Sequence, residues 1–183
     1  MNKIRDDFPP NIKDFFVKLQ NYLDTDLYFY GSVNRSDYVH GKSDIDVAIF
    51  TDNEYSTMAK LQHFLRVKRS DFDKVVWKLE GKMIYGYKIK CDKHIHSRCE
   101  IAIYNNDFKK IWLDDVTKHN KIPFHISILL FILKTLHYTF PILSPKTYST
   151  YKRYVFNTIL DGKKDTVFFL LKSGNYVPRT PPS

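Results

Sequence analysis

The stretch YFYGSVNRSDYVHGKSDIDVAIF, residues 28–50, decides the reading of this chain. Leu27 to Tyr30 is a short, wholly apolar run, the pattern of a strand buried on both faces. Gly31-Ser32 ends it. Residues 32 to 38 suit a short helix, and Val39 to Ser43, with Gly41, suit a loop. Asp44 to Phe50 then reads as a second strand. Strand residues alternate faces, so Asp44 and Asp46 project together while Ile45 and Val47 enter the opposite side.

Two carboxylates this close repel unless a cation lies between them. Magnesium takes oxygen ligands, commonly one or two carboxylates plus substrate phosphates. Two such ions, about 3.5–4 Å apart, clamp the attacking and leaving oxygens of a displacement at phosphorus. Gly31 lets the backbone turn sharply and approach a ligand. Backbone N–H groups of a following helix start, with the Ser32 hydroxyl, would face its phosphates.

The apolar strand, Gly31-Ser32, the eleven-residue spacer and the embedded Asp44-Ile45-Asp46 together resemble the signature of the DNA polymerase beta-like nucleotidyltransferase superfamily, in its minimal form. The close match spans residues 28–50; beyond it only the order of elements agrees. The resemblance implies an α+β nucleotidyltransferase fold, a mixed central β-sheet flanked by helices. It implies transfer of NMP from an NTP to a hydroxyl acceptor (an RNA end, a nucleotide or a protein), with pyrophosphate released. It also implies a cofactor, Mg2+ or Mn2+, in two ions, and a third carboxylate on a later strand. Glu100 in CEIAIY is the candidate, with Ile101 and Ile103 on the opposite face; Asp92 is the rival, in a turn. Asp44, Asp46 and Glu100 are thus the expected catalytic and metal-binding residues. Gly31, Ser32, Arg35 and Ser43 are the expected nucleotide-binding ones. The alternative is a catalytically inactive module of this fold that binds nucleic acid or a partner protein.

Around this segment the chain divides. Pro9-Pro10 opens a helix with Ile12, Phe15, Phe16, Leu19, Tyr22 and Leu23 on one face. Thr51-Asp52-Asn53 suits the cap of a helix over 54–67. Val75–Leu79 and Lys82–Lys90 read as strands joined by a turn at Glu80-Gly81, and Cys99–Tyr104 as another. Asp107 suits the cap of a helix bearing Phe108, Ile111, Trp112 and Val116. Pro123 opens a second, and residues 146–160 and 163–172 suggest two more, with Gly174 as a stop. The expected division is a nucleotidyltransferase catalytic core over 1–105, a helical C-terminal part over 106–176 packed on it, and a flexible tail over 177–183. The apolar run Ile126–Leu133 reads as a buried helix, too short for a membrane span. Phe124, Phe131, Leu136 and Phe140 read as core, His125 and His137 as its edge, and Lys42 as solvated charge.

The chain has 183 residues and a formal net charge of +9. That size supports a core without disulfide staples, and the charge favours polyanions, hence a nucleic-acid or nucleotide acceptor. Two cysteines are too few for a secreted disulfide scaffold, so a reducing compartment such as the cytoplasm is expected. Cys91-x-x-His94-x-His96-x-x-Cys99 carries four zinc-capable groups. The spacing is not a familiar zinc pattern, and the plainer reading is a polar turn with two reduced cysteines.

Overall fold

The computed structural model describes residues 4–79, 81–120, 124–140, 142–155 and 167–171. Helix α1 (Pro10–Leu23) has proline in its first turn and ends at Asp24 in the left-handed region, φ 52°. It buries Ile12, Phe16, Leu19 and Leu23, an i, i+4, i+7 stripe. Strand β1 (Tyr28–Tyr30) leads through a 3-10 turn, Gly31–Asn34, towards β2 (Ile45–Thr51). Helix α2 (Glu54–Leu65) starts where the Asn53 side chain accepts a hydrogen bond from the Ser56 amide at 2.9 Å. Strands β3 (Asp73–Leu79) and β4 (Lys82–Lys90) form an antiparallel pair. The single turn α3 (Asp92–Ile95), strand β5 (Cys99–Asn105) and helices α4 (Lys109–Asn120), α5 (Phe124–Tyr138) and α6 (Pro145–Tyr154) follow. Strand β6 (Val167–Leu171) is last.

The sheet order is β1-β2-β5-β4-β3-β6. β2 and β5 run parallel; the other pairs are antiparallel. This is the expected α+β architecture with a mixed sheet. One face carries Ile45, Val47, Ile49, Ile89, Ile101 and Ile103 and packs on Phe16 and Leu19 of α1 and Met58, Leu61 and Leu65 of α2. The other carries Ala48, Phe50, Ala102, Tyr104 and Ile84 under Trp112 of α4. Helix α4 covers the far end of β2 and β5 and reaches Tyr30, whose ring centre lies 4.9 Å from that of Trp112. Asp46 and Glu100 share that face nearer the strand starts, because side chains alternate and Ala48 and Ala102 are the next residues of their parity.

Several expectations change. Residues 167–171, expected in a helix over 163–172, form β6 on the outer edge of β3; a VFFLL run suits a strand once an unpaired edge is available. The C-terminal part is therefore not wholly helical. Asp107 does not cap α4: it lies in a 3-10 turn, and its own amide donates to the Asn105 side chain at 3.0 Å. Asp44 immediately precedes β2 rather than starting it. The run Ile126–Leu133 buries Ile126, Ser127 and Leu130, but Ile128, Leu129, Phe131 and Ile132 are exposed, and so is Phe140. An apolar helix reads as buried all round, yet among the described residues the buried cluster here is Ile126, Leu130 and Val155, with Leu133 packed against it. Cys91 and Cys99 are bonded to each other, not reduced. Their sulfurs are thus closed to zinc, and the His94 ring lies against Phe15 at 6.2 Å. Pro123, Gly174 and the tail over 177–183 fall outside the described residues.

Candidate active site

Asp46 and Glu100 occupy paired positions on the parallel strands β2 and β5. Neighbouring strands lie about 4.8 Å apart, so the two carboxylates are side by side on one face. Tyr30 of β1 is paired to Asp46 on the other side. Burial and the nearby Asp46 and Glu100 charges push the Tyr30 hydroxyl well above its usual value, so it stays a neutral neighbour. Asp44 stands one residue before the strand, its side chain half exposed and 3.8 Å from the Arg98 guanidinium.

The electrostatics single out Asp46. Burial pushes its carboxyl up to about 6; Lys88 opposes that rise, while Glu100 and Asp44 add to it. Lys88 forms an ion pair with Glu100. Register places Lys88 on the face of Asp46 and Glu100, because Ile84 and Lys88 share a parity on β4 and Ile84 packs on the Trp112 face. Lys152 of α6 also lowers Asp46, so α6 brings positive charge to this end of the sheet.

Gly31 meets Asp46 directly. Its φ is +71°, and a Cβ built there would lie 2.7 Å from Asp46 Oδ2. Only glycine supplies both the left-handed backbone and the space. Ser32 follows in the same 3-10 turn, which Asn34 closes by donating to the Phe29 carbonyl and Arg5 braces by donating to that of Val33. The Gly31 backbone therefore borders the Asp46 carboxylate.

Arg35 and Ser43 are placed differently from Gly31 and Ser32. Arg35 forms a two-pronged pair with Asp37, Nε to Oδ1 at 2.8 Å and Nη2 to Oδ2 at 3.2 Å. Ser43 is buried; its hydroxyl accepts from the Val39 amide at 3.0 Å and from Lys134 at 3.2 Å. Lys134 of α5, itself buried, also reaches Asp37 Oδ2 at 2.9 Å and the Asp37 carbonyl at 2.7 Å. This network ties the loop between the glycine turn and β2 to α5. Sequence reasoning missed Asp37 and Lys134, because each looks like an ordinary solvated charge; Lys134 at an apolar stripe position was the signal. Lys42, expected as solvated charge, donates to the Tyr138 carbonyl at 3.2 Å and braces the same loop.

Among the described residues, no three His, Cys, Asp or Glu side chains are gathered closely enough to hold an ion. Asp44 lies near Arg98, and Glu100 is paired with Lys88. The donors nevertheless suit divalent cations: they are hard oxygen ligands, two of them on adjacent strands. Each of the outer two already attracts a protein cation, and the Asp46 proton affinity is raised by burial and by both neighbouring carboxylates.

A mixed sheet whose parallel pair presents carboxylates beside a glycine turn is the arrangement of a nucleotidyltransferase fold. The nucleotidyltransferase domain family matches residues 10–131, two thirds of the chain, and the chain belongs to that family. Among solved structures it is similar to a cytoplasmic RNA terminal U-transferase, at 16% identity and TM-score 0.43, over 84% of this chain and 49% of that one. It is also similar to the Cid1 poly(U) polymerase with MgGTP bound, at 15% identity and TM-score 0.44, over 79% and 47%. The chain thus spans about half the length of these two proteins. No curated protein matches its sequence.

Proposed function

We propose that this chain transfers a nucleoside monophosphate from an NTP to a hydroxyl acceptor, with Asp44, Asp46 and Glu100 as ligands of two divalent cations, Mg2+ or Mn2+. The observation that carries this is the pairing of Asp46 and Glu100 on adjacent parallel strands, with Gly31 in contact with Asp46. When bound, such ions supply Lewis-acid polarisation at phosphorus and neutralise the leaving pyrophosphate. The chain supplies the rest. Gly31 and Ser32 offer backbone N–H groups to the phosphates. Glu100 takes the proton of the acceptor hydroxyl as its oxygen bonds to the α-phosphorus and the α–β bridging bond breaks. Arg35 and Ser43 shape the site by holding the loop before Asp44, rather than by touching phosphate. The net charge of +9 favours a nucleic-acid or nucleotide acceptor.

Incubation with each α-labelled NTP, Mg2+ or Mn2+, and RNA, nucleotides or a cell extract tests this directly. Label should pass to one acceptor class, and Asp46→Asn should cut that transfer by about 100-fold while the protein stays folded. Full activity in Asp46→Asn would remove Asp46 from the site. An absence of both label transfer and magnesium-dependent NTP binding by calorimetry would point instead to an inactive binding module.

A further inference from the structure

The sheet face that packs on α1 and α2 is only partly covered. Those helices shield β1, β2, β5 and the Ile89 end of β4. Beyond them the face continues over the start of β4, β3 and β6, where Val76 is buried but Tyr85 and Met83 are exposed. Register pairs Lys74 with Tyr87, Val76 with Tyr85 and Lys78 with Met83, and the residues of each pair share this face. The surface therefore alternates cation, aromatic and aliphatic groups in rows. Tyr85 is 58% exposed, Tyr55 at the start of α2 is 57% exposed, and Met83 is 40% exposed.

Tyr55, Lys74, Val76, Tyr85 and Tyr87 line a cavity of about 440 Å³, with Glu54 as the one acid among the described lining residues. Its rings are held in place. The Tyr87 hydroxyl donates to that of Tyr55 at 3.2 Å, and the two rings lie 5.8 Å apart. The Arg69 guanidinium lies 5.1 Å from the Tyr55 ring centre, so a third cation borders the aromatic group. Fixed rings cost little entropy when a flat partner stacks on them. Lys74 and Lys78 on the face and Arg69 at its border favour an anionic chain, and nucleobases stack on exposed aromatics whatever their sequence.

We infer that this face of β3 and β4 binds single-stranded nucleic acid, with Tyr55, Tyr85 and Tyr87 stacking bases and Lys74, Lys78 and Arg69 meeting phosphates. It lies on the opposite side of the sheet from Asp46 and Glu100. It is a second site, and it stands whether or not the chain catalyses transfer.

Fluorescence anisotropy with a labelled oligouridylate of about 15 nucleotides, at low salt without divalent ions, is the test. The intact chain should bind, and Tyr85→Ala and Tyr55→Ala should each weaken binding about tenfold. Tyr85→Phe keeps the ring and should bind as the unaltered chain does. Lys74→Ala should reduce the dependence of log affinity on log salt by about 0.7. The inference fails if the intact chain does not bind. It also fails if both alanine variants bind within about twofold of it, which would place the strand elsewhere on the surface.

Discussion

Gly31 shows how much one residue can decide. Its positive φ is open to other residues only at a cost of about 1–2 kcal/mol. Its missing Cβ leaves room for Asp46 Oδ2, which would otherwise lie 2.7 Å away. Gly31→Ala should therefore do two things at once. It should destabilise the fold by about 1–2 kcal/mol in urea titration, and it should displace the Asp46 carboxylate. The second effect separates site from fold: nucleotide transfer should fall at least tenfold at a urea concentration where the variant is still fully folded. If activity tracks only the folded fraction, the contact with Asp46 has no functional weight. Glu100 offers a companion test. Glu100→Gln keeps the shape but loses the charge that pairs with Lys88 and favours a divalent ion. Its metal-dependent activity should fall more than that of Glu100→Asp, with both measured across magnesium titrations.

At the scale of elements, the loop carrying the site depends on α5. Asp37 is buried beneath Arg35 and Lys134. Burial pushes its carboxyl up, but the hydrogen bonds from Arg35 and Lys134 outweigh that and hold it below the usual carboxylate range. A depressed carboxyl stabilises the fold above its unfolded value and loses that effect as pH falls through its folded one. Asp37→Asn should therefore cost about 3–5 kcal/mol near neutral pH, since it removes the carboxylate that faces the buried Lys134. The gap from the unaltered chain should hold down to about pH 5 and close below about pH 4. A pH-independent gap would show that shape, not charge, is what Asp37 contributes. The bond from Cys91 to Cys99 closes the turn just before Glu100 over a separation of eight residues. Reduction should lower stability by about 2.5 kcal/mol, measured in urea with and without reductant. What the sequence showed and what it hid follow from the reach of each signal. Gly31, Ser32, Asp44 and Asp46 were legible because a single strand-turn-strand segment carries them. Glu100 was legible through alternation within its own strand. The Asp37–Lys134 pair spans 97 residues, and the two cysteines meet only because α3 folds back, so neither contact leaves a local pattern. Strand β6 was misread because its apolar run has no period until β3 offers an edge.

The whole molecule is more closely tied together than its composition suggests. The change of character near residue 105 marks a proposed catalytic core, yet three later pieces complete that core. Trp112 of α4 covers Tyr28, Phe50 and Tyr104, and all four are buried. Lys134 of α5 neutralises Asp37, and β6 takes up the hydrogen-bonding edge of β3. A chain ending at residue 105 would expose an aromatic cluster, leave Arg35 as the remaining partner of Asp37, and present β3 as a bare edge. Exposed aromatic surface and unpaired strand edges both promote association. Residues 1–105 expressed alone should therefore bind a hydrophobic dye, scatter light at micromolar concentration and unfold without a sharp urea transition. Residues 1–171, which retain all three pieces, should unfold in one cooperative step. A sharp transition for residues 1–105, with a slope on urea in proportion to their size, would show that the first 105 residues are a self-sufficient domain. The helices would then be an addition to the catalytic core. The opposite result would make α4, α5 and β6 part of the scaffold that holds Asp46 and Glu100 side by side.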